Sequence, residues 1–302
     1  MKQIAALILF LLAGTAALAQ TPKPQVEIPF EFVHNQIVVQ AKLGGKGPFN
    51  LLVDTDTDPS AIDLATARDL GLAVGSKGGV GSGGGTDANM AYPTRLPSVE
   101  LGSFVTREVV AVAIDLTKIS KRAERPIHGV LGFSFLKDRI IQIDYPNTKL
   151  RFFSESPYPR IQMSANTVNL ISLPFKREDG VVIVDSVFIN NEKMRAALDT
   201  GSSGSFDLTP EAVALLGMDD KDQSASPVTS IGYNGEFETR QGILKSVRLG
   251  RIAVESVPAV LWLPKTGHDN KKYQVNIGNG FFQDFVMTFD FKGKQVVFEK
   301  VD

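Results

Sequence analysis

The chain has 302 residues and a formal net charge of −1; 43% of its residues are hydrophobic and 22% are charged, which suffices for one large or two medium-sized domains. It contains no cysteine, which excludes thiol catalysis, disulfides and thiolate zinc sites. Basic residues form no block and do not alternate with aromatic ones, so we expect no nucleic-acid partner. The histidines, which lack the spacing of metal ligands, are His34, His128 and His268.

The first nineteen residues have the pattern of a signal peptide. Lys2 precedes an apolar run, and Ala17-Leu18-Ala19 provides the small-x-small pattern that signal peptidase cuts. An uncleaved anchor is the alternative, although the apolar run is short for a membrane span. We therefore expect export to the periplasm or the extracellular space, with no membrane contact beyond the signal peptide.

Short apolar runs that alternate in polarity follow, and they predict β-strands. Examples are VEIPFEFVHNQIVVQAKL in the first half and VVIVDSVFI, AVLWL and VMTFDF in the second. Helical spacing occurs chiefly in SAIDLATARDLGL and in LTPEAVALLGM, where Thr209 is a cap and Pro210 lies in the first turn. FSFLKD and GFFQDF predict two shorter helices. Each half is therefore predicted to be a small β-barrel or sandwich with one or two short helices.

The stretch NLLVDTDTDPSAIDL places Asp54, Asp56 and Asp58 directly after an apolar run. Their spacing fits the first half of a calcium loop. However, Pro59 stands where that loop needs Gly, and Ala65 stands where it needs a bidentate Glu. We therefore predict no metal site and no cofactor.

The chain repeats itself once. LLVDT ends at Thr55 and AALDT ends at Thr200, and further matching blocks follow each of them in the same order. LPSVELGSFVTREVVAV (96–112) matches LKSVRLGRIAVESVPAV (244–260), and LGFSFLKDRIIQIDYPNTKLRFF (131–153) matches IGNGFFQDFVMTFDFKGKQVVFE (277–299). Two copies of one domain are predicted. The predicted divisions are a signal peptide (1–19), an N-terminal lobe (20–156), a connector (157–170) and a C-terminal lobe (171–302).

The second copy contains ALDTGSSGSFDL, which resembles the active-site signature of aspartic proteases. An apolar-apolar-Gly element also follows in each copy, as Val130-Leu131-Gly132 and, less perfectly, as Asn276-Ile277-Gly278. With the duplication, the mature chain resembles a pepsin-like enzyme made of two retropepsin-like halves. This resemblance implies an all-β, bilobal acid-protease fold with an active-site cleft between two homologous β-barrel lobes.

The resemblance also assigns roles. Asp54 and Asp199 would be the catalytic pair, holding the attacking water between them and sharing a proton. Thr55 and Thr200 would lie buried between the lobes and cross-link the two loops. No metal and no covalent intermediate is implied, and a monomer is expected because both halves belong to one chain.

Further supporting residues surround the pair. Gly201 completes the Asp-Thr-Gly motif, and the hydroxyls of Ser202 and Thr57 would hydrogen-bond the outer carboxylate oxygens. Asp56 stands where the family has Gly, at a place where the backbone comes close to the pair. Its carboxylate either turns outward or raises the pKa of the pair by repulsion.

The family covers its cleft with a mobile hairpin, and both copies contain a candidate for it. In the first copy, SKGGVGSGGGTDANMAY includes Gly81 and Gly83; in the second, TSIGYNGEFETRQG includes Tyr233 beside an Asn234-Gly235 turn. A flexible surface loop is the alternative for the glycine-rich stretch. The stretch also fits a dinucleotide-binding pattern, but no helix follows it.

Two functions are therefore predicted. The first is an aspartic endopeptidase that hydrolyses polypeptides with water activated between Asp54 and Asp199. The second is a catalytically impaired relative that uses the cleft to bind peptide or protein, because Asp56 replaces the motif glycine.

Overall fold

The structure is a computed structural model, and it describes residues 22–81, 83–158, 169–218, 227–267 and 271–301. The predicted signal peptide and most of the predicted connector lie outside these ranges. Within them, no helix combines the length and the apolar character needed to cross a lipid bilayer.

The first half of the chain forms an eight-stranded sheet. Its strands, in spatial order, are β2 (Glu31–Val33), β3 (Gln36–Leu43), β4 (Lys46–Val53), β9 (Gly129–Leu131), β5 (Ser60–Asp63), β8 (Phe104–Ile114), β7 (Met90–Leu101) and β6 (Gly79–Val80). An extra pairing of β3 with β7 curls the sheet toward closure.

The second half forms a second eight-stranded sheet with the same order of corresponding strands. They are β13 (Lys176–Glu178), β14 (Val181–Ile189), β15 (Glu192–Asp199), β20 (Val275–Gly278), β16 (Phe206–Leu208), β19 (Ile252–Trp262), β18 (Gly235–Leu249) and β17 (Pro227–Gly232). Here β14 makes the extra pairing, with β18. The repeat in the sequence is therefore a repeat of the fold, and the prediction of two homologous β-rich lobes is confirmed.

A third sheet joins the lobes. It contains, in spatial order, β1 (Val26–Pro29), β11 (Lys149–Phe153), β10 (Ile140–Asp144), β21 (Phe285–Asp290), β22 (Gln295–Lys300) and β12 (Leu170–Pro174). The pairing of β10 with β21 is the one that joins strands from the two halves within the described part of the chain.

Five short helices occur in the described residues, at α1 (Leu64–Asp69), α2 (Thr117–Arg122), α3 (Phe133–Leu136), α4 (Pro210–Leu215) and α5 (Asn279–Phe282). As the sequence indicates, the Thr209 hydroxyl caps α4 by accepting from the Ala212 N–H, and Pro210 occupies its first turn. Four of the five helices lie in the predicted stretches. No pattern in the sequence predicted α2.

Strand alternation separates two kinds of buried surface. In β4, Leu51 and Val53 point into the main core, whereas Leu52 points to the opposite face, which lines the cleft. In β15, Leu198 belongs to the main core, and Ala197 lies on the cleft face. The ends of these two corresponding strands present the predicted catalytic residues to the cleft.

Candidate active site

Asp54 and Asp199 both line a cleft of about 670 Å³ between the lobes. Asp54 follows the last residue of β4, and Asp199 is the last residue of β15. How closely the two loops approach is visible at Gly201, where a Cβ would lie 2.3 Å from Oδ2 of Asp54. Glycine is required at 201 because the loop that follows Asp199 runs directly against Asp54.

The two loops are cross-linked by buried threonines. The Thr55 N–H donates to Oγ1 of Thr200 at 3.1 Å, and the Thr200 N–H donates to Oγ1 of Thr55 at 3.1 Å. The Thr55 hydroxyl donates in turn to the Leu198 carbonyl at 2.7 Å, and the Thr200 hydroxyl donates to the Val53 carbonyl at 2.9 Å. These four bonds fix the two loops relative to each other, with the symmetry of the repeat.

Among the described residues, Asp56, Thr57 and Tyr233 donate hydrogen bonds to the Asp54 carboxylate. The Asp56 N–H donates to Oδ1 at 2.7 Å, and the Thr57 hydroxyl donates to Oδ2 at 2.6 Å. The Tyr233 hydroxyl, which comes from the other lobe, donates to the same Oδ2 at 3.3 Å. The Thr57 hydroxyl thus binds the Asp54 carboxylate, and Tyr233 adds a donor that was not assigned from the sequence.

The donors to Asp199 differ from those expected. Backbone N–H groups of Gly201 and Ser202 donate to Oδ1 at 2.8 and 3.1 Å. The Ser202 hydroxyl, however, donates to Oδ2 of Asp207 at 3.1 Å, so the expectation that this hydroxyl binds Asp199 is wrong. The side-chain amide of Asn276 donates to Oδ2 of Asp199 at 2.9 Å instead. The reason is Asp207, a competing acceptor that has no equivalent in the first copy.

Burial raises the pKa of both members of the pair. For Asp54, the rise in pKa caused by burial is opposed mainly by the hydrogen bond from Thr57, which favours the ionised form. For Asp199, burial raises the pKa, and the negative charges of Asp54 and Asp56 raise it further, so that it is held well above the ordinary value. Asp199 is therefore the member that keeps a proton, and Asp54 is the member that carries the charge.

Asp56 does not turn outward. It lines the cleft half-buried, and its Oδ1 is buried without a hydrogen-bond partner among the described residues. Burial, followed by the charge of Asp54, raises the pKa of Asp56 to about 7, against an opposing effect from Lys271. The site thus contains three mutually repelling carboxyl groups, and the third is neutral at acidic pH.

Asp58, the last of the three acids, also lines the cleft, but its carboxylate is paired. It forms an ion pair with Arg177 of the C-terminal lobe, whose guanidinium lies 3.0 Å from the centre of the Phe133 ring. Asp54, Asp56 and Asp58 therefore have three different surroundings. Among the described residues, no group of three or more His, Asp or Glu side chains is placed to hold a metal ion.

The two candidate flaps contact each other over the cleft. The Asn234 N–H donates to the Gly84 carbonyl at 2.8 Å, and the Asn234 side chain donates to the Gly81 carbonyl at 2.8 Å. A Cβ at Gly83 would lie 3.0 Å from the Cβ of Tyr233. Gly85, at φ +102°, would direct a Cβ to within 2.2 Å of the Asn234 carbonyl oxygen. The glycines therefore permit a backbone contact between lobes that side chains would prevent.

Three cleft residues were not singled out from the sequence as site residues. Asp207 and Asn276 line the C-terminal side, and Arg122 of α2 crosses from the N-terminal lobe to bind the Ile231 carbonyl and the Ser203 hydroxyl. The sequence gives one indication of a polar site here. Asn276 stands in the Asn276-Ile277-Gly278 element where the first copy has Val130.

Comparison with known proteins gives a consistent family and fold. A family model described as aspartyl protease matches residues 39–135 and 186–280. Among solved structures, the aspartic proteinase from Irpex lacteus is 14% identical, with a TM-score of 0.56, over 92% of this chain and 97% of that one. A retropepsin-like aspartic protease from Rickettsia conorii is 22% identical, with a TM-score of 0.35, over 43% of this chain and 90% of that one. No curated protein matches the sequence.

Proposed function

Because the chain belongs to the aspartyl protease family, we propose that it is an aspartic endopeptidase in which Asp54 and Asp199 activate water against a peptide bond. The observation that carries this proposal is the pair of carboxyl groups at the meeting point of two loops that Thr55 and Thr200 cross-link. Fold alone does not establish activity, so the proposal depends on this geometry.

The reaction follows from the unequal charge of the two carboxyl groups. A water molecule between them loses a proton to ionised Asp54 while its oxygen attacks the scissile carbonyl carbon. Protonated Asp199 donates its proton to the carbonyl oxygen, which gives a neutral tetrahedral diol. Asp54 then passes its proton to the amide nitrogen as the carbon–nitrogen bond breaks, and one diol hydroxyl returns a proton to Asp199.

A second function, peptide or protein binding without cleavage, is favoured by Asp56. Its buried and unpartnered Oδ1 lies in the cleft, where an ionised carboxylate repels the charge on Asp54. Above the pKa of Asp56, about 7, the negative charges of Asp54 and Asp56 would repel each other beside protonated Asp199, and the geometry of the pair would be disturbed. In that case the cleft holds an extended peptide but hydrolyses it slowly or not at all.

We also propose that the protein works as a monomer outside the cytoplasm. The supporting observations are the N-terminal signal pattern of residues 1–19 and the presence of both candidate catalytic residues in one chain. Sequencing the N-terminus of protein recovered from the periplasm or medium tests export, and light scattering of the purified protein tests the monomer.

Activity is tested with the protein lacking residues 1–19, incubated with an unfolded protein and quenched fluorescent peptides from pH 3 to 8. We expect cleavage that Asp54→Asn and Asp199→Asn each abolish. Asp284→Asn, which removes an exposed acid of the same lobe as Asp199, should cleave like the wild type. Absence of cleavage at every pH, followed by a gain of cleavage in Asp56→Gly, would support the binding function instead.

A further inference from the structure

One face of the N-terminal sheet, which lines the cleft through Leu52, Ala61 and Val112, is a wall made of a row of apolar side chains. The strand registers place them side by side across five strands, in the order Val38, Leu52, Val130, Ala61 and Val112. The ring of Tyr233 packs against this cluster. This wall therefore already contacts an aromatic side chain of the protein itself, and it suits apolar or aromatic side chains of a peptide.

The corresponding row of the C-terminal lobe has polar side chains, instead of apolar ones, at two neighbouring positions. Its side chains, in the same order, are Ile183, Ala197, Asn276, Asp207 and Val260. Asn276 replaces Val130, and Asp207 replaces Ala61. Because the two rows are related by the repeat, the chain has one apolar wall and one wall with an amide and a carboxyl group at its centre.

Asp207 faces the cleft because strand alternation directs it there. Phe206 and Leu208, on either side, point into the main core. Asp207 itself is 8% exposed, and the Ser202 hydroxyl binds its Oδ2 at 3.1 Å. Burial raises the pKa of Asp207 to about 6, while Ser202, Asn276 and the charge of Arg122 oppose that rise.

Arg122 does not neutralise Asp207 by direct contact. Its two terminal nitrogens bind the Ile231 carbonyl and the Ser203 hydroxyl, and no ion pair joins it to Asp207 within the described part of the chain. The carboxylate therefore keeps capacity to accept hydrogen bonds from a further cation.

A second, independent acceptor lies beside it. Asn276 is 3% exposed, its amide nitrogen binds Asp199, and its Oδ1 is buried with no hydrogen-bond partner among the described residues. A buried acceptor without a partner is costly unless a ligand or water donates to it. The apolar surroundings of these two acceptors include Ile183, Trp262 and Tyr273, which can cover the methylene groups of a long side chain.

We propose that Asp207 and Asn276 form a subsite for a lysine or arginine side chain of the substrate, next to the bond that is cleaved. The cationic head would donate to the Asp207 carboxylate and to Oδ1 of Asn276, and the aliphatic stem would lie along the apolar surroundings. The direct bond from Asn276 to Asp199 places this subsite beside the reacting pair. The proposal rests on the proposed protease function and adds a substrate class to it.

The test uses matched quenched fluorescent peptides that carry Lys, Arg, Gln or Leu at either residue flanking the cleaved bond. At one of these positions, we expect wild-type kcat/KM to be about tenfold or more higher for Lys or Arg than for Gln. In Asp207→Asn, that ratio should fall to near unity. Asp284→Asn, which removes one exposed negative charge from the same lobe, should keep the wild-type ratio.

Binding of the same peptides to Asp199→Asn, with and without Asp207→Asn, separates the subsite from the chemistry. Cleavage by the wild type without a preference for Lys or Arg at either position overturns the subsite and leaves the protease function standing. No cleavage, combined with tighter binding of the Lys peptide that depends on Asp207, overturns the protease function and supports the subsite. Equal binding of the Lys and Gln peptides overturns the subsite even if Asp207→Asn fails to fold.

Discussion

The hydroxyl of Tyr233 in the C-terminal lobe donates a hydrogen bond to Asp54 in the N-terminal lobe at 3.3 Å. The same hydroxyl lies 3.3 Å from Oγ1 of Thr57. A residue of one lobe thereby completes the surroundings of the candidate base in the other, and its ring lies on the apolar wall. A peptide that enters the cleft must displace this ring or pack beside it.

Replacing Tyr233 by Phe should move the acidic limb of the pH–rate profile. The hydrogen bond from Tyr233 lowers the pKa of Asp54, so its loss raises that pKa, and ionised Asp54 becomes available only at higher pH. We expect the acidic limb of kcat/KM to rise by about half a pH unit. Tyr92→Phe, outside the cleft lining, is the control, and an unmoved limb in Tyr233→Phe would show that the bond does not form in solution.

Replacing Asp56 by Gly should move the basic limb of the pH–rate profile to lower pH. The charge of Asp56 raises the pKa of Asp199, so removing it lowers that pKa, and Asp199 loses its proton at lower pH. The basic limb of kcat/KM should fall by about one pH unit. Measuring the full profile from pH 3 to 9 checks this, and a basic limb that rises would mean that Asp56 stabilises the ionised form of Asp199.

Replacing Asp56 by Asn should stabilise the fold in a pH-dependent way. The pKa of Asp56 is about 7 in the fold, against an ordinary value of 3.8, so between these values the unfolded chain releases a proton that the folded chain keeps. Rising pH therefore favours unfolding of the wild type, and Asn removes that loss. We expect the free energy of unfolding of Asp56→Asn to exceed that of the wild type by about 4 kcal/mol more at pH 8 than at pH 4.

Urea unfolding at both pH values measures this difference. Asp69→Asn, which removes an exposed acid, is the control and should show little change between them. A difference that is the same at pH 4 and pH 8 would contradict the raised pKa of Asp56.

Replacing Thr55 by Val should weaken the cross-link between the lobes. The variant leaves the Leu198 carbonyl and the Thr200 N–H buried without their partners, at a cost of about 3 kcal/mol. Thr117→Val, at an exposed position, should change the free energy of unfolding by less than about 0.5 kcal/mol. Chemical unfolding checks both, and equal stability of the two variants would argue against the cross-link.

Replacing Asn234 by Ala should loosen the contact between the flaps. The variant loses the side-chain bond to the Gly81 carbonyl and keeps the backbone bond to Gly84. Amide hydrogen exchange in residues 83–89 should become about fivefold faster, and the peptide association rate should rise. Exchange in α4 provides an internal control, and unchanged exchange in residues 83–89 would mean that the backbone bonds alone hold the flaps together.

The duplication, the two lobes and the candidate catalytic pair could be predicted from the sequence because they depend on residues that match between the two copies. Asp54 and Asp199 were identifiable in this way, and so were the helices after each Asp-Thr. Strand alternation and capping are local, so they can be read without knowing which strands become neighbours.

The polar wall could not be predicted from the same patterns. Asp207 and Asn276 are 69 residues apart, and they become partners only through the register that pairs β16 with β20. The Ser202 hydroxyl donates to Asp207, which this register brings to the cleft. The prediction that the hydroxyl binds Asp199 was wrong because it did not include Asp207. The contact of Tyr233 with Asp54 likewise depends on how the two lobes meet, which no local pattern specifies.

The six-stranded sheet suggests that the two halves could exist as separate polypeptides. Three of its strands come from each half, and five residue pairs between β10 and β21 join them. A chain opened between residues 158 and 169 would keep each eight-stranded sheet whole and divide this seam, the contacts across the cleft and side-chain contacts such as that of Tyr145 with Asn279. Coexpressed fragments should then reassemble as a complementation pair, and the aspartate pair would form only where the two fragments meet.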